Sequence, residues 1–362
     1  MFSVLDMFTI GVGPSSSHTV GPMCAAQAFA SSLEESGAVS RVGRIRVVLY
    51  GSLSLTGLGH GTDRAILAGL EGNVPATVDT DYLLSVRERC AHDGTIHVNG
   101  TNAIAYDDDG DMVFDRWKRL APHPNGMRFQ AFDAQGNIID EQVWYSIGGG
   151  FIRRGRIDDA LISNHEQTPA SSQSPEDSGN DEAAEYGDGV PYPFVSCDGL
   201  IDLCRKHHLS IADVVWANET ARRSPQEVRD RLTRIWNVMS HCIDAGCASA
   251  TPTLPGGLDV PRRAPLMYRR LAANSDVLRR DRRISSALES SDSAWVALFA
   301  MSVSEENAGG GRVVTAPTNG SAGIIPAVLE YYWHFVESAD DEGVRTFLLT
   351  AGAVEIGRAS CR

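Results

Sequence analysis

The chain has 362 residues, 43% of them hydrophobic and 22% charged, with a formal net charge of −14. At about 150 residues per domain this length predicts two domains and a core that needs no disulfide or metal to hold it. The acidic balance excludes the basic face required by nucleic acid or an anionic membrane surface. No apolar run approaches the roughly 18 residues of a membrane span, and no basic-then-apolar leader marks secretion, so the expectation is a cytoplasmic chain.

Chain order then supplies the elements. Gly11-Val12-Gly13-Pro14-Ser15-Ser16-Ser17-His18-Thr19-Val20-Gly21-Pro22 is a hydroxyl-rich loop leading into a helix over Met23–Leu33. One hydroxyl suffices to cap a helix, so three of them plus a titratable ring point to an anion pocket at the positive end of the helix dipole. The run Ile45–Leu53 is β-branched and reads as a strand ended by its glycine, and Thr62–Leu70 reads as a short amphipathic helix. Short strands follow at Ile96–Val98, Met112–Phe114, Met127–Phe132 and Ile138–Ile147, with hairpin turns expected at Asp107–Asp111 and Asp133–Asn137. The polar, Ser/Pro-rich stretch from Asn164 to Gly189 reads as an inserted linker. Beyond Pro191 helical periodicity takes over, at Ser210–Ser224, Pro225–Ala245 and Ser290–Glu306.

Four further segments sit at breaks between these elements. Gly59-His60-Gly61-Thr62-Asp63 places a histidine between glycines at a helix start, where backbone can approach a ligand closely. Ser146-Ile147-Gly148-Gly149-Gly150 ends a strand in amides able to cradle an anion. His123-Pro124-Asn125-Gly126 reads as a tight turn. Glycines at 309–311, a short strand and then Thr318-Asn319-Gly320 open a helix from Ile324, aiming Thr318 and Asn319 at an anionic group.

The ordered set Gly11–Pro22, Tyr50–Asp63, His123–Met127, Tyr145–Phe151, Pro191–Phe194, Val260–Ala264 and Glu306–Gly320 resembles the bacterial iron–sulfur-dependent L-serine dehydratases in their single-chain form. The resemblance runs from Met1 to about Val354. It implies an α+β protein: a mixed α/β beta-type domain over 1–163, the linker at 164–189, and a mostly helical, truncated alpha-type domain over 190–354. It implies conversion of L-serine to pyruvate and ammonia, in serine catabolism and gluconeogenesis, and it allows a homodimer. It places substrate near Ser15, Ser16, Ser17, Thr19, Ser146, Thr318, Asn319 and Gly320, with His18 and His60 as the acid–base pair and the base among them left open. The competing class is an amino-acid sensor module without catalysis.

The cofactor implied is a [4Fe–4S] cluster whose open iron acts as a Lewis acid on the serine hydroxyl. Pyridoxal phosphate chemistry is not expected, because the chain has only two lysines, Lys118 and Lys206, both in charged surroundings. The seven cysteines (Cys24, Cys90, Cys197, Cys204, Cys242, Cys247 and Cys361) contain no Cys-x-x-Cys pair and read as reduced, mostly buried thiols. The family's cluster ligands are expected beyond Val354, leaving none in this chain. Residues 355–362 read as a non-native tail, and the chain as written is expected to be inactive.

Overall fold

The computed structural model describes residues 3–164, 189–255, 258–273, 292–316 and 318–359. Most of the predicted linker and Cys361 therefore lie outside the described residues. The chain divides into two compact units: one formed by residues 11–168 and 307–312, the other by 1–10, 169–306 and 313–362. The first ten residues thus group with the C-terminal unit, a division that a single cut near residue 163 would not make. Strands β1 (Thr9–Val12) and β11 (Arg312–Thr315) pair as a separate two-stranded sheet.

The first unit is a sheet covered by helices. Strands β3 (Thr95–Val98), β4 (Asn102–Ala105), β2 (Arg44–Tyr50), β7 (Gly126–Phe132), β8 (Ile138–Gly148) and β9 (Phe151–Arg154) lie in that spatial order. The antiparallel register of β2 and β7 sets Ile45 opposite Ala131 and Val47 opposite Phe129. Helices α2 (Gly21–Glu35), α4 (Thr62–Leu70) and α5 (Thr80–Asp93) contribute Phe29, Leu33, Ile66, Leu67, Leu70 and Val86 to the core with the sheet's apolar face. Phe29 stacks on Phe129 at 5.2 Å between ring centroids. Helices α2 and α4 approach closely because Gly69 lacks a side chain; a Cβ there would lie 2.3 Å from the Met23 carbonyl oxygen.

The strand of the Ile45–Leu53 run ends at its glycine: β2 stops at Tyr50, and Gly51, with φ of +56°, turns the chain into helix α3 (Gly51–Thr56). Asp107–Asp111 is not a hairpin turn. It holds a single helical turn, α6 (Asp108–Asp111), leading into β5 (Met112–Asp115), which pairs parallel to β2. Asp111 is buried there as the partner of Arg44. The Asp133–Asn137 hairpin does join β7 to β8, with Asp133 accepting from the Gln135 and Asn137 amides.

The second unit is helical. Ser210 and Asp213 form a capping box on α8 (Ile211–Thr220), and Ser224 caps α9 (Pro225–Ala248), each hydroxyl satisfying an amide the helix leaves unpaired. Helix α9 buries Leu232, Ile235, Trp236 and Met239, in one core with Leu348 and Leu349 of α13 (Asp341–Ala359). The N-terminal turn α1 (Val4–Met7) joins this core and is held by buried Glu219, which accepts from Ser3 Oγ at 2.7 Å and the Val4 amide at 2.9 Å. No helix of the described residues is long and apolar enough to cross a membrane.

Candidate active site

The hydroxyl-rich loop is not an open loop. Ser15 is extended, and its main-chain carbonyl accepts from the amides of Thr19 and Val20, closing one wide turn over Ser16–Val20 that runs directly into α2. Its side chain caps that turn by accepting the His18 amide at 3.2 Å. Helix α2 therefore starts at Gly21, two residues before the predicted start. Within the turn Ser16 and Thr19 are buried, and Ser15, Ser17 and His18 are half-buried.

This turn brings His18 against His60, with ring centroids 4.9 Å apart and planes tilted by 43°. Ser17 Oγ lies 2.9 Å from His18 Nδ1, and Ser52 Oγ lies 3.0 Å from His18 Nε2. Burial, then the charge of His60, holds His18 below the ordinary imidazole range, so its ring is neutral at neutral pH. His60 ends a tight turn over Gly57–His60, and its Nδ1 lies 2.9 Å from the Thr56 carbonyl oxygen. A carbonyl can only accept, so Nδ1 carries the proton of the neutral ring and Nε2 keeps the lone pair.

Ser146, near the end of β8, lies against the first residue of α2. A Cβ on Gly21 would stand 2.1 Å from Ser146 Oγ, so only glycine fits there. That hydroxyl is fully buried and has no hydrogen-bond partner among the described residues. Asn125 holds the Ser146 main chain from both sides: its carbonyl accepts the Ser146 amide, and its Nδ2 donates to the Ser146 carbonyl, each at 3.1 Å. The same turn reaches α3, where the Ser52 amide donates to the Pro124 carbonyl at 2.9 Å. The His-Pro-Asn-Gly segment is thus a brace between two parts of the site. Asn307 supports the first turn in the same unit, donating from Nδ2 to the Pro14 carbonyl at 3.0 Å.

In the helical unit, Thr318 to Gly320 do not open a helix directly. A short turn over Asn319–Ser321 precedes α12 (Ile324–Phe335). Asn319 is buried and its Oδ1 accepts from Thr315 Oγ1 at 2.9 Å, whereas Thr318 and Gly320 are exposed. Glu305 accepts the amides of Arg263 and Ala264 at 2.8 and 3.1 Å, capping α10 (Ala264–Ala273), while Arg262 pairs with Glu306 at 2.6 Å. The Val260–Ala264 and Glu306–Gly320 motifs therefore meet as scaffold.

An iron–sulfur cluster takes thiolate ligands that converge on one point. Among the described residues no three His, Cys, Asp or Glu side chains gather into a metal site. Burial pushes the Cys24 and Cys90 thiols up to about 11 and Cys247 to about 12, and raises Cys242 as well, which opposes the thiolate form a cluster needs. The described residues do not fit the group. Both lysines, Lys118 and Lys206, are exposed.

Sequence reasoning singled out His18, His60 and Ser146 from their glycine- and hydroxyl-rich flanks. It passed over Ser52, Thr62 and Asn125. Their contacts span 34, 44 and 21 residues, and no local pattern signals those separations.

Two family models match the chain. Residues 3–156 match the serine dehydratase beta chain and residues 206–359 the serine dehydratase alpha chain. An L-serine dehydratase of Streptomyces coelicolor is 44% identical over 352 residues, 97% of this chain and 70% of that protein. L-serine dehydratase 1 of Escherichia coli is 41% identical over 358 residues, covering 98% and 71%, and an L-serine dehydratase of Helicobacter pylori is 35% identical over 354 residues, covering 98% and 70%. The chain is an enzyme with beta-type and alpha-type regions on one polypeptide. It belongs to the serine dehydratase family.

Proposed function

We propose that the chain supplies the substrate-binding and proton-transfer side chains of an L-serine ammonia-lyase, which converts L-serine to pyruvate and ammonia. The observation that carries this reading is the His18–His60 pair, built into a hydroxyl-lined turn of the beta-type region. Loss of the α-proton and of the β-hydroxyl from L-serine leaves aminoacrylate, which tautomerises to an imine and hydrolyses to the two products. His60 is the base, because its lone pair sits on Nε2 while Nδ1 is tied to the Thr56 carbonyl. His18, held below the ordinary imidazole range by burial and then by the charge of His60, is the neutral ring beside it. Ser15, Ser16, Ser17, Thr19 and Ser146 are the beta-type region's candidates for binding the substrate's charged groups, and Thr318, Asn319 and Gly320 are the separate candidates of the helical unit.

The family resemblance assigns departure of the hydroxyl to a [4Fe–4S] cluster. The described residues hold no ligand set for that group. We infer that the 362-residue chain, reconstituted anaerobically with iron and sulfide, holds no stable cluster and makes no pyruvate. The same chain joined to the part of the Streptomyces coelicolor enzyme that the match does not cover should make pyruvate and ammonia in equal amounts from L-serine. A joined protein that carries a cluster, binds L-serine and releases neither product would refute the lyase reading in favour of a sensor.

A further inference from the structure

We propose that Ser52 is a positioning residue for His18, anchoring the imidazole to the sheet in a way that survives a change in the ring's protonation. The proposal rests on the reading that His18 takes part in acid–base chemistry.

His18 is the one ring in a run of hydroxyls. Ser15 Oγ lies 3.4 Å from Ser17 Oγ, Ser17 Oγ lies 2.9 Å from His18 Nδ1, and His18 Nε2 lies 3.0 Å from Ser52 Oγ. Ser15 and Ser17 belong to the same turn as His18 and move with it. Ser52 comes from a separate element and ties the ring to the end of β2.

The position of Ser52 is itself over-determined. Gly51 takes φ of +56°, and a Cβ there would stand 2.3 Å from the Pro124 carbonyl oxygen, so residue 51 must be glycine. Ser52 is consequently the first residue of α3 able to present a side chain. Its amide donates to Pro124 O at 2.9 Å, and its carbonyl accepts from Thr56 Oγ1 at 2.9 Å.

The chemistry favours a hydroxyl over a carboxylate at this point. A hydroxyl donates to a bare Nε2 and accepts from Nε2–H, so the contact persists in either tautomer and in the cation. A carboxylate would hold the ring as imidazolium instead. Burial and then the His60 charge depress the His18 pKa, against a smaller opposing effect of the hydrogen bond at Ser52. The titratable side chain acting on His18 is His60, from the Gly57–His60 turn, and the Arg64 guanidinium of α4 lies beside Gly61 in the same region.

The test is ring-nitrogen NMR of the histidine-labelled 362-residue chain, in which neither a cluster nor turnover is needed. Ser52→Ala should shift the His18 Nε2 resonance and increase tautomer averaging of that ring, and Ser52→Thr should restore the parent signal. Ser52→Asp should raise the His18 titration midpoint by about one unit or more. A His18 Nε2 resonance unchanged in Ser52→Ala, or a midpoint unmoved in Ser52→Asp, would overturn the proposal. If Ser52→Ala fails to fold, the Asp variant decides. Serine turnover is measured separately on the joined protein, so failure of the lyase reading leaves this result standing.

Discussion

His18 and His60 hold each other's backbone through exchanged threonines. Thr19, next to His18, donates from its hydroxyl to the His60 carbonyl at 2.8 Å, and Thr62, two residues after His60, donates to the His18 carbonyl. Hydroxyl-to-carbonyl bonds thereby hold the main chains that carry the two rings, whose centroids lie 4.9 Å apart. A pair placed this way can change protonation without losing its geometry.

Stability should respond to pH through the histidines. Burial lowers His18 and His123 relative to their unfolded values near about 6.5. Such groups stabilise the fold fully above about 6.5, and the contribution is lost as pH falls through that value toward the lower folded pKa. Hydrogen bonds from Arg87 hold Asp108 below the usual carboxylate range, and its contribution is lost only at lower pH. Thermal midpoints from pH 8 to 5 should fall in the parent and fall less in a His18→Gln/His123→Gln protein. Identical slopes in the two would show that other groups set the dependence.

Gly21 and Ser146 should be coupled. Gly21→Ala forces a methyl into Ser146 and should cost about 1–3 kcal/mol, as overpacking does. Ser146→Gly in that background should recover most of the loss, measured by denaturant unfolding. A Gly21→Ala protein as stable as the parent would mean that the two elements are not packed as described.

Reagent access should sort the thiols. Cys197 is exposed, whereas Cys90, Cys242 and Cys247 are buried with raised pKa values. A thiol-reactive dye at pH 8 should label Cys197 in the folded protein and reach the other three only after unfolding. Fast labelling of Cys242 under native conditions contradicts this.

Ser16→Ala and Asn319→Ala in the joined protein should each weaken the use of L-serine. Removing a hydrogen bond to a charged group costs roughly 1.5–3 kcal/mol, or about 10- to 150-fold in kcat/KM. Cluster absorbance should be unchanged. If both variants kept the parent kcat/KM, the two segments would not bind substrate.

Much of this was legible in the sequence where the signal is local. The hydroxyl-rich turn, the glycine-flanked His60, the Asp133–Asn137 hairpin and the capped helices α8 and α9 all follow from residues a few positions apart. Reading failed where a fold-level contact overrode local pattern. Ser-Leu-Ser-Leu after Gly51 alternates like a strand, yet the positive φ of Gly51 and the Pro124 carbonyl turn it into helix. The acidic run at 107–111 looks like a solvated turn, yet Asp111 is drawn inside by Arg44 from 67 residues away. Asn125 reads as a turn residue because its bonds to Ser146 reach across the open end of the β7–β8 hairpin, which no periodicity encodes.

The central claim is that His60 removes the α-proton of L-serine. The measurement that tests it most directly is pyruvate formation by the joined protein and its His60→Gln variant, each with ordinary and Cα-deuterated L-serine. The account predicts that His60→Gln lowers kcat by about 100-fold or more, with KM little changed, and that deuterium slows the variant further because proton removal has become limiting. A His60→Gln protein with the parent's kcat would contradict it.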